Sequence, residues 1–356
     1  MSKHISEIDK NFAVPAAPAE GELTYLDVLQ PPFDVYGLMQ EDGGYTRMPR
    51  KVAETVNAGV VELHRHTSGG RVRFSTDSKR IAVRVDAPFV PASPHMPKTG
   101  QAGFDLYRDG IFYRMFMPPI DADTPYETVL AMPKGDGMHE YEINFPLYNN
   151  VNKLEIGLES GSTLAHGKPY AISTPVVFYG SSITQGGCAS RPGTAYANIL
   201  SRELDFDFVN LGFSGNARAE KTMAEYIIGL DMSVFVCDYD HNTPSIEYLQ
   251  ESHQPFVDAI RKARPDLPII LITRPDFREY PEDSPQRREI IRNTYLQAKE
   301  AGDENIWFID GETLWDGPHW DSCTVDGCHP NTLGFYRMAE VIAPVLKEAL
   351  TKALKA

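Results

Sequence analysis

The sequence predicts an α/β domain over residues 169–356, built on a five-stranded parallel, flavodoxin-like sheet. Before it, over residues 1–168, it predicts an antiparallel β-sandwich of jelly-roll type. Three observations lead there. The chain has 356 residues, more than one hydrophobic core usually serves. Up to about residue 168, short β-rich runs are separated by turn residues; from Thr174 onward, short apolar strands alternate with helical patterns. The change falls at Gly161-Ser-Thr-Leu-Ala-His-Gly-Lys-Pro169, a polar, turn-rich stretch that reads as a connector.

In the first part, strands are expected over 59–66, 71–75, 80–85, 103–107, 111–116 and 153–158. Turn chemistry separates them at Ser68-Gly-Gly, Asp109-Gly, Lys134-Gly-Asp-Gly and Asn149-Asn. Strands of this length and spacing pack as a sandwich, and no long helix is expected among them. In the second part, strands are expected over 176–179, 207–211, 233–237, 268–273 and 305–310. Helices should cover 194–204, 219–228, 284–301 and 333–350, and another should start at Thr243-Pro244, a good N-cap and first-turn pair. In the last helix Met338, Val341, Ile342, Val345 and Leu346 share one face. Buried strands alternating with helices make a parallel sheet covered on both sides. Reacting groups in such sheets gather at the carboxyl ends of the strands.

Composition narrows the partners. The net charge is −15 and no Lys/Arg cluster stands out, which argues against nucleic acid or an anionic membrane surface. No run approaches the roughly 18–20 apolar residues needed to span a bilayer. The first ten residues are polar and mixed in charge, unlike a signal peptide, so a cytoplasmic location is expected. Cys188, Cys237, Cys323 and Cys328 are scattered with no CxxC, and free thiols are expected. Cys323 and Cys328 are the pair near enough in sequence to bridge on oxidation. No cofactor and no metal site is expected; a homo-oligomer stays open.

The strand ends carry the chemistry. The first strand ends in Tyr179-Gly-Ser-Ser182-Ile-Thr-Gln-Gly186, where a serine follows a buried strand and precedes a helix. Such a position suits a nucleophile, although hydroxyls that only cap the helix would look the same. Thr184 stands where the G-x-S-x-G elbow needs its second glycine. The second strand ends in Asn210-Leu-Gly-Phe-Ser-Gly215-Asn216 and the third in Asp238-Tyr-Asp240-His241-Asn242. Asp326-Gly-Cys-His329-Pro cannot continue a helix, so it forms a loop. An acid three residues before a histidine in a turn can hold one ring nitrogen and leave the other free as a base.

Taken together, these blocks resemble the SGNH (GDSL-type) hydrolases. Gly-Ser-Ser-Ile-Thr looks like the first block and Asn-Leu-Gly-Phe-Ser-Gly like the second. Residues 238–242 occupy the third, and Asp-Gly-Cys-His looks like the D-x-x-H block. Gly103-Phe-Asp-Leu-Tyr107 is similar to the G-x-D-L-Y signature of a β-domain that precedes a subset of these enzymes. The resemblance implies Ser182 as nucleophile, His329 as base and Asp326 as its orienting acid. It also implies an oxyanion hole from the N–H groups of Ser182 and Gly215 and the Asn242 side chain. Ser181 replaces the usual aspartate, and the third block lacks the G-x-N-D spelling.

The loop Trp315-Asp-Gly-Pro-His319-Trp320-Asp should wall the pocket, since aromatic faces suit sugar rings, although ordinary loop packing would use the same residues. Asp240 and His241 are further candidates for substrate contact. The expectation is a serine esterase that removes a small acyl group, foremost acetyl, from a carbohydrate. A lipase, thioesterase or arylesterase of the same fold is the alternative enzyme, and a carbohydrate-binding protein with a vestigial triad the alternative outside enzymes.

Overall fold

The computed structural model describes residues 3, 5–9, 23–91, 93–119, 125–131 and 137–355. Its first part is a sandwich of two antiparallel sheets. One runs in the order Leu23–Asp27, Lys153–Glu159, Arg80–Asp86, Tyr126–Ala131. The other runs Leu164–His166, Arg71–Thr76, His139–Asn144, Phe104–Arg108, Ile111–Phe116, with Asp34–Tyr36 also paired to Arg71–Thr76. Inward-facing Val72, Phe74, Ile81, Val83, Leu106, Ile143 and Ile156 fill the space between the sheets. The expected turn at Lys134-Gly-Asp-Gly lies outside the described residues except for Gly137.

Two expectations for this half are corrected. Residues 59–66 do not form a strand. Asn57 caps a helix over Ala58–Leu63 by accepting the Val60 N–H on its side chain, and a second helix, Arg50–Val56, precedes it. The β-branched valines favoured a strand locally, but Val60 and Ala53 are buried against the parallel sheet, where a helical face fits. The stretch 161–169 is not only a connector either, because Leu164–His166 extends the sandwich by pairing with Arg71–Thr76.

The second part holds five parallel strands, numbered here β1 (Ile172–Gly180), β2 (Phe206–Gly212), β3 (Val234–Asp238), β4 (Ile269–Ile272) and β5 (Ile306–Ile309). They lie in the order β2-β1-β3-β4-β5, the flavodoxin-like arrangement. The intervening helices are α1 (Tyr196–Leu204), α2 (Lys221–Ile228), α3 (Ile246–Ala263), α4 (Ser284–Glu300) and α5 (Thr332–Ala353). Alternate residues of each strand face opposite layers. Val176, Phe178 and Val236 meet α1 and α5 through Tyr196, Leu200, Phe335, Met338 and Ile342. Val177, Tyr179 and Phe235 meet α2, α3 and α4 through Met223, Phe256 and Ile291. Helix α3 starts two residues later than expected: Ser245, not Thr243, accepts the N–H of Tyr248, while the Thr243 hydroxyl bonds back to Asp240.

The two parts are joined through buried polar contacts. Asp105, fully buried, accepts the Gly193 N–H at 2.8 Å, Arg191 at 2.9 Å and the Asn144 amide at 2.9 Å. Tyr107 donates to the Gly193 carbonyl at 3.2 Å. The acid and the tyrosine of Gly103-Phe-Asp-Leu-Tyr107 thus hold the 191–194 loop ahead of α1. On the opposite side, Arg71 is buried with its guanidinium 3.8 Å over the Phe208 ring and paired with Asp207. Among the described residues no helix is long and apolar enough to cross a membrane.

Candidate active site

Ser182 lies at the carboxyl end of β1, at the start of a single helical turn, Ser182–Gln185. The strand ends are so close that a Cβ on Gly180 would stand 2.1 Å from the Thr184 hydroxyl and 2.2 Å from the Asp238 carbonyl, which restricts that position to glycine. Capping is done by Ser181, whose hydroxyl accepts the Ile183 N–H at 3.1 Å. Ser182 is therefore spared that task. Its Oγ lies 2.9 Å from Nε2 of His329.

The loop 324–330 is closed by a bridge between Thr324 and Pro330, and Gly327 takes the left-handed conformation at φ +87°. Within it, Asp326 Oδ1 accepts the N–H groups of Cys328 and His329 at 3.0 and 2.7 Å, and Oδ2 accepts from Nδ1 of His329 at 2.7 Å. An ionised carboxylate only accepts, so Nδ1 carries the proton and Nε2 faces Ser182 as an acceptor. Partial burial would raise the Asp326 pKa; these hydrogen bonds from His329 and Cys328 outweigh it and hold the carboxyl below its usual range. The structure thus brings Ser182, His329 and Asp326 into one hydrogen-bonded line.

The three groups expected as oxyanion donors sit at adjacent strand ends. The Ser182 N–H is the first of its turn, where a helix supplies no acceptor. Gly215, at φ +70°, sits in the turn closed by the Asn216 N–H and the Phe213 carbonyl. Asn242 accepts the Ala217 N–H on Oδ1 at 3.2 Å, which leaves Nδ2 as its donor. Arg47, fully buried, reaches across from the first part and donates to the carbonyls of Asn210, Gly212 and Leu63. Burial pushes its pKa down to about 9.

Several side chains that shape the site were not visible in the sequence. Tyr148 donates to the Ser182 carbonyl at 3.1 Å, and Ser68 donates to the Gln185 carbonyl at 2.6 Å. Gln185 donates to the Leu147 carbonyl and to Nδ1 of His66, and accepts the Ser214 N–H at 3.1 Å. Burial pushes His66 down to about 3, so it is neutral and able to accept. The turns Ser68-Gly-Gly and Asn149-Asn were legible, but nothing in their pattern says that they brace the Ser182 turn.

The third block divides. Asp238 is buried and accepts from Thr184 and Tyr196; burial and the neighbouring Asp240 push its pKa well above the usual range. Asp240 does not face a substrate. It is fully buried and accepts the Arg274 N–H, and burial raises it to about 6 against the opposing charge of Arg274. The His241 side chain is only 7% exposed and stands 3.8 Å from Asp276.

Beside the triad loop lies a cleft of about 350 Å³, lined by Phe277, Arg278, Glu279, Trp315, Trp320 and Asp321 among others. Thr324 and Gly327, which flank Asp326, reach its edge. Trp320 is exposed, with the Arg278 guanidinium 4.1 Å over its ring. His319 does not join the wall: it is exposed, in a left-handed turn at φ +61°. All four cysteines are free.

Residues 173–347 match the model of the GDSL-like lipase/acylhydrolase family, and residues 23–164 match that of the N-terminal region of SGNH-hydrolase-type esterases named for G-x-D-L-Y. A crystal structure from Bacteroides ovatus, named as a GDSL-like lipase, is 31% identical with a TM-score of 0.82, covering 92% of this chain and 98% of that one. The salicylyl-acyltransferase SsfX3 of a tetracycline biosynthetic pathway is 24% identical with a TM-score of 0.76, covering 91% and 97%. A family two carbohydrate esterase from Clostridium thermocellum, solved with cellohexaose, is 15% identical with a TM-score of 0.61, covering 90% and 99%. The last two share the fold. No curated protein matches the sequence.

Proposed function

Because the chain belongs to the SGNH (GDSL-type) hydrolase family, we propose that it is a serine esterase removing a small acyl group, foremost O-acetyl, from a carbohydrate. The observation that carries this reading is the line Ser182 Oγ to His329 Nε2 at 2.9 Å and His329 Nδ1 to Asp326 Oδ2 at 2.7 Å. His329 takes the proton of Ser182 as its oxygen attacks the ester carbonyl. Asp326 holds the ring and stabilises the imidazolium. The N–H groups of Ser182 and Gly215 and the Asn242 amide receive the oxyanion, each such donor contributing roughly 10²–10³ in rate. His329 then gives its proton to the leaving sugar oxygen, and water releases the acyl group by the same steps in reverse.

The cleft supports a sugar over a fatty chain. Trp320, exposed at the cleft, offers an aromatic face for pyranose C–H groups, and Glu279, Asp310, Glu312 and Asp321 offer acceptors for hydroxyls. Carboxylates so placed would be desolvated by a long acyl chain at a cost. Neighbours named as carbohydrate esterases make acetylated glycans the first panel to try.

The test is acetate release from acetylated oligosaccharides beside hydrolysis of p-nitrophenyl esters of rising chain length. Ser182→Ala should lower both by about 10³–10⁶-fold; undiminished activity would sink the mechanism. A lipase is the second reading, favoured by the name of the Bacteroides ovatus protein. A maximum on long acyl chains would decide for it.

A further inference from the structure

Three donors meet at the mouth of the site from segments far apart in sequence: His95 of the sandwich, Cys188 of the loop following the Ser182 turn, and His329. One ligand atom from each lies within 4.8 Å of the others, and the two imidazole rings stand 5.8 Å apart between centroids. Because Asp326 occupies Nδ1 of His329, the nitrogen left for a further partner is Nε2, the one that accepts from Ser182.

We infer that His95, Cys188 and His329 form a site for a soft divalent cation of the Zn²⁺ class, whose binding silences the Ser182–His329 pair. The inhibitory half of this inference rests on the esterase reading; the binding half does not.

The donor chemistry favours that class. Two imidazoles and a thiolate suit Zn²⁺, whereas Mg²⁺ and Ca²⁺ require oxygen donors. Tetrahedral Zn²⁺ places such ligand atoms roughly 3.3–3.6 Å apart, so the set has to close by about 1 Å. His95 is exposed and has room to move, while Cys188 is buried and fixed. Asp326 on the far nitrogen of His329 completes the carboxylate–histidine–metal arrangement that orients metal-bound imidazoles and raises their basicity. Three protein ligands leave a fourth position for water. On binding, the Cys188 thiol forms a sulfur–metal bond and its proton passes to solvent. The metal takes the Nε2 lone pair, so the Ser182 hydroxyl loses its acceptor and no base remains.

A second trio, His241, Asp276 and Cys328, is just as close. It is the weaker candidate, because Asp276 is already bound through both carboxylate oxygens by Arg274.

The experiment uses the full-length protein and Zn²⁺ alone as probe. Binding is followed by competition with a chromophoric chelator, on the native protein and on Ser182→Ala, and inhibition by p-nitrophenyl acetate hydrolysis at buffered free Zn²⁺. The expected result is one Zn²⁺ bound per chain and at least a tenfold loss of activity, restored by EDTA. His95→Ala and Cys188→Ser should each weaken binding and inhibition by roughly 10- to 100-fold, with metal-free activity within about twofold of native. Unchanged Zn²⁺ affinity in both variants, or no retained Zn²⁺, would overturn the site. If Zn²⁺ binds with the expected dependence on His95 and Cys188 while metal-free protein hydrolyses no ester, the site stands and the esterase reading fails.

Discussion

At the scale of single residues, Asp326 has the most specific task. It spends one oxygen on two backbone N–H groups and the other on the imidazole, so it fixes both the loop and the tautomer. Asp326→Asn should preserve the loop, since an amide oxygen still accepts, yet lower kcat on the order of 10³–10⁴-fold with little change in KM. An equal rise in KM would assign Asp326 to substrate binding instead. Its depressed pKa keeps it ionised where an ordinary carboxylate would already take up a proton. The stability it contributes is therefore present above the usual carboxylate pKa and lost as pH falls through its own lower value. This residue was legible because both of its jobs lie within a four-residue turn. Arg47 was not: its acceptors are carbonyls on β2 and at Leu63, and a lone arginine in a turn carries no mark of where its side chain ends.

At the scale of elements, hydrophobic periodicity located all five parallel strands, because each is a short apolar run buried on both faces. It misread 59–66, where a valine-rich segment folds as a helix because Asn57 caps it and the parallel sheet offers it a groove. Local propensity decides little when the partner surface is supplied by another part of the chain. The loop 191–194 shows the same dependence, since its N–H at Gly193 and its arginine are held by Asp105 from the sandwich. Asp105→Ala would leave Arg191 and that N–H without their acceptor in a buried joint. The expected loss is about 3–5 kcal/mol, read as a lower urea midpoint. A change below about 1 kcal/mol would mean that water or a nearby carbonyl replaces the carboxylate.

At the scale of the whole molecule, burial sets the acid limit. His66, His241 and His253 are pushed down by burial to about 3, about 4 and about 3. All three stay neutral in the native protein while the unfolded chain protonates them below about pH 6.5. Through these three, stability should fall as pH drops from about 6.5 to 4, since the unfolded state then binds more protons at them; Asp240 and Asp238, whose carboxyls are raised by burial, act in the opposite direction. His253→Gln, away from the site and bonded only to Thr294 among the described side chains, should reduce the slope of unfolding free energy by about 1 kcal/mol per pH unit. An unaltered slope would show that His253 charges without unfolding. The brace around Ser182 has a consequence in time. Ser68 and Tyr148 precede the serine, whereas His329 follows it by 147 residues and stands just before α5. A nascent chain thus makes Ser182 and the residues that brace it first. On the proposed mechanism, Ser182 therefore has no base until the loop that carries His329 has been translated.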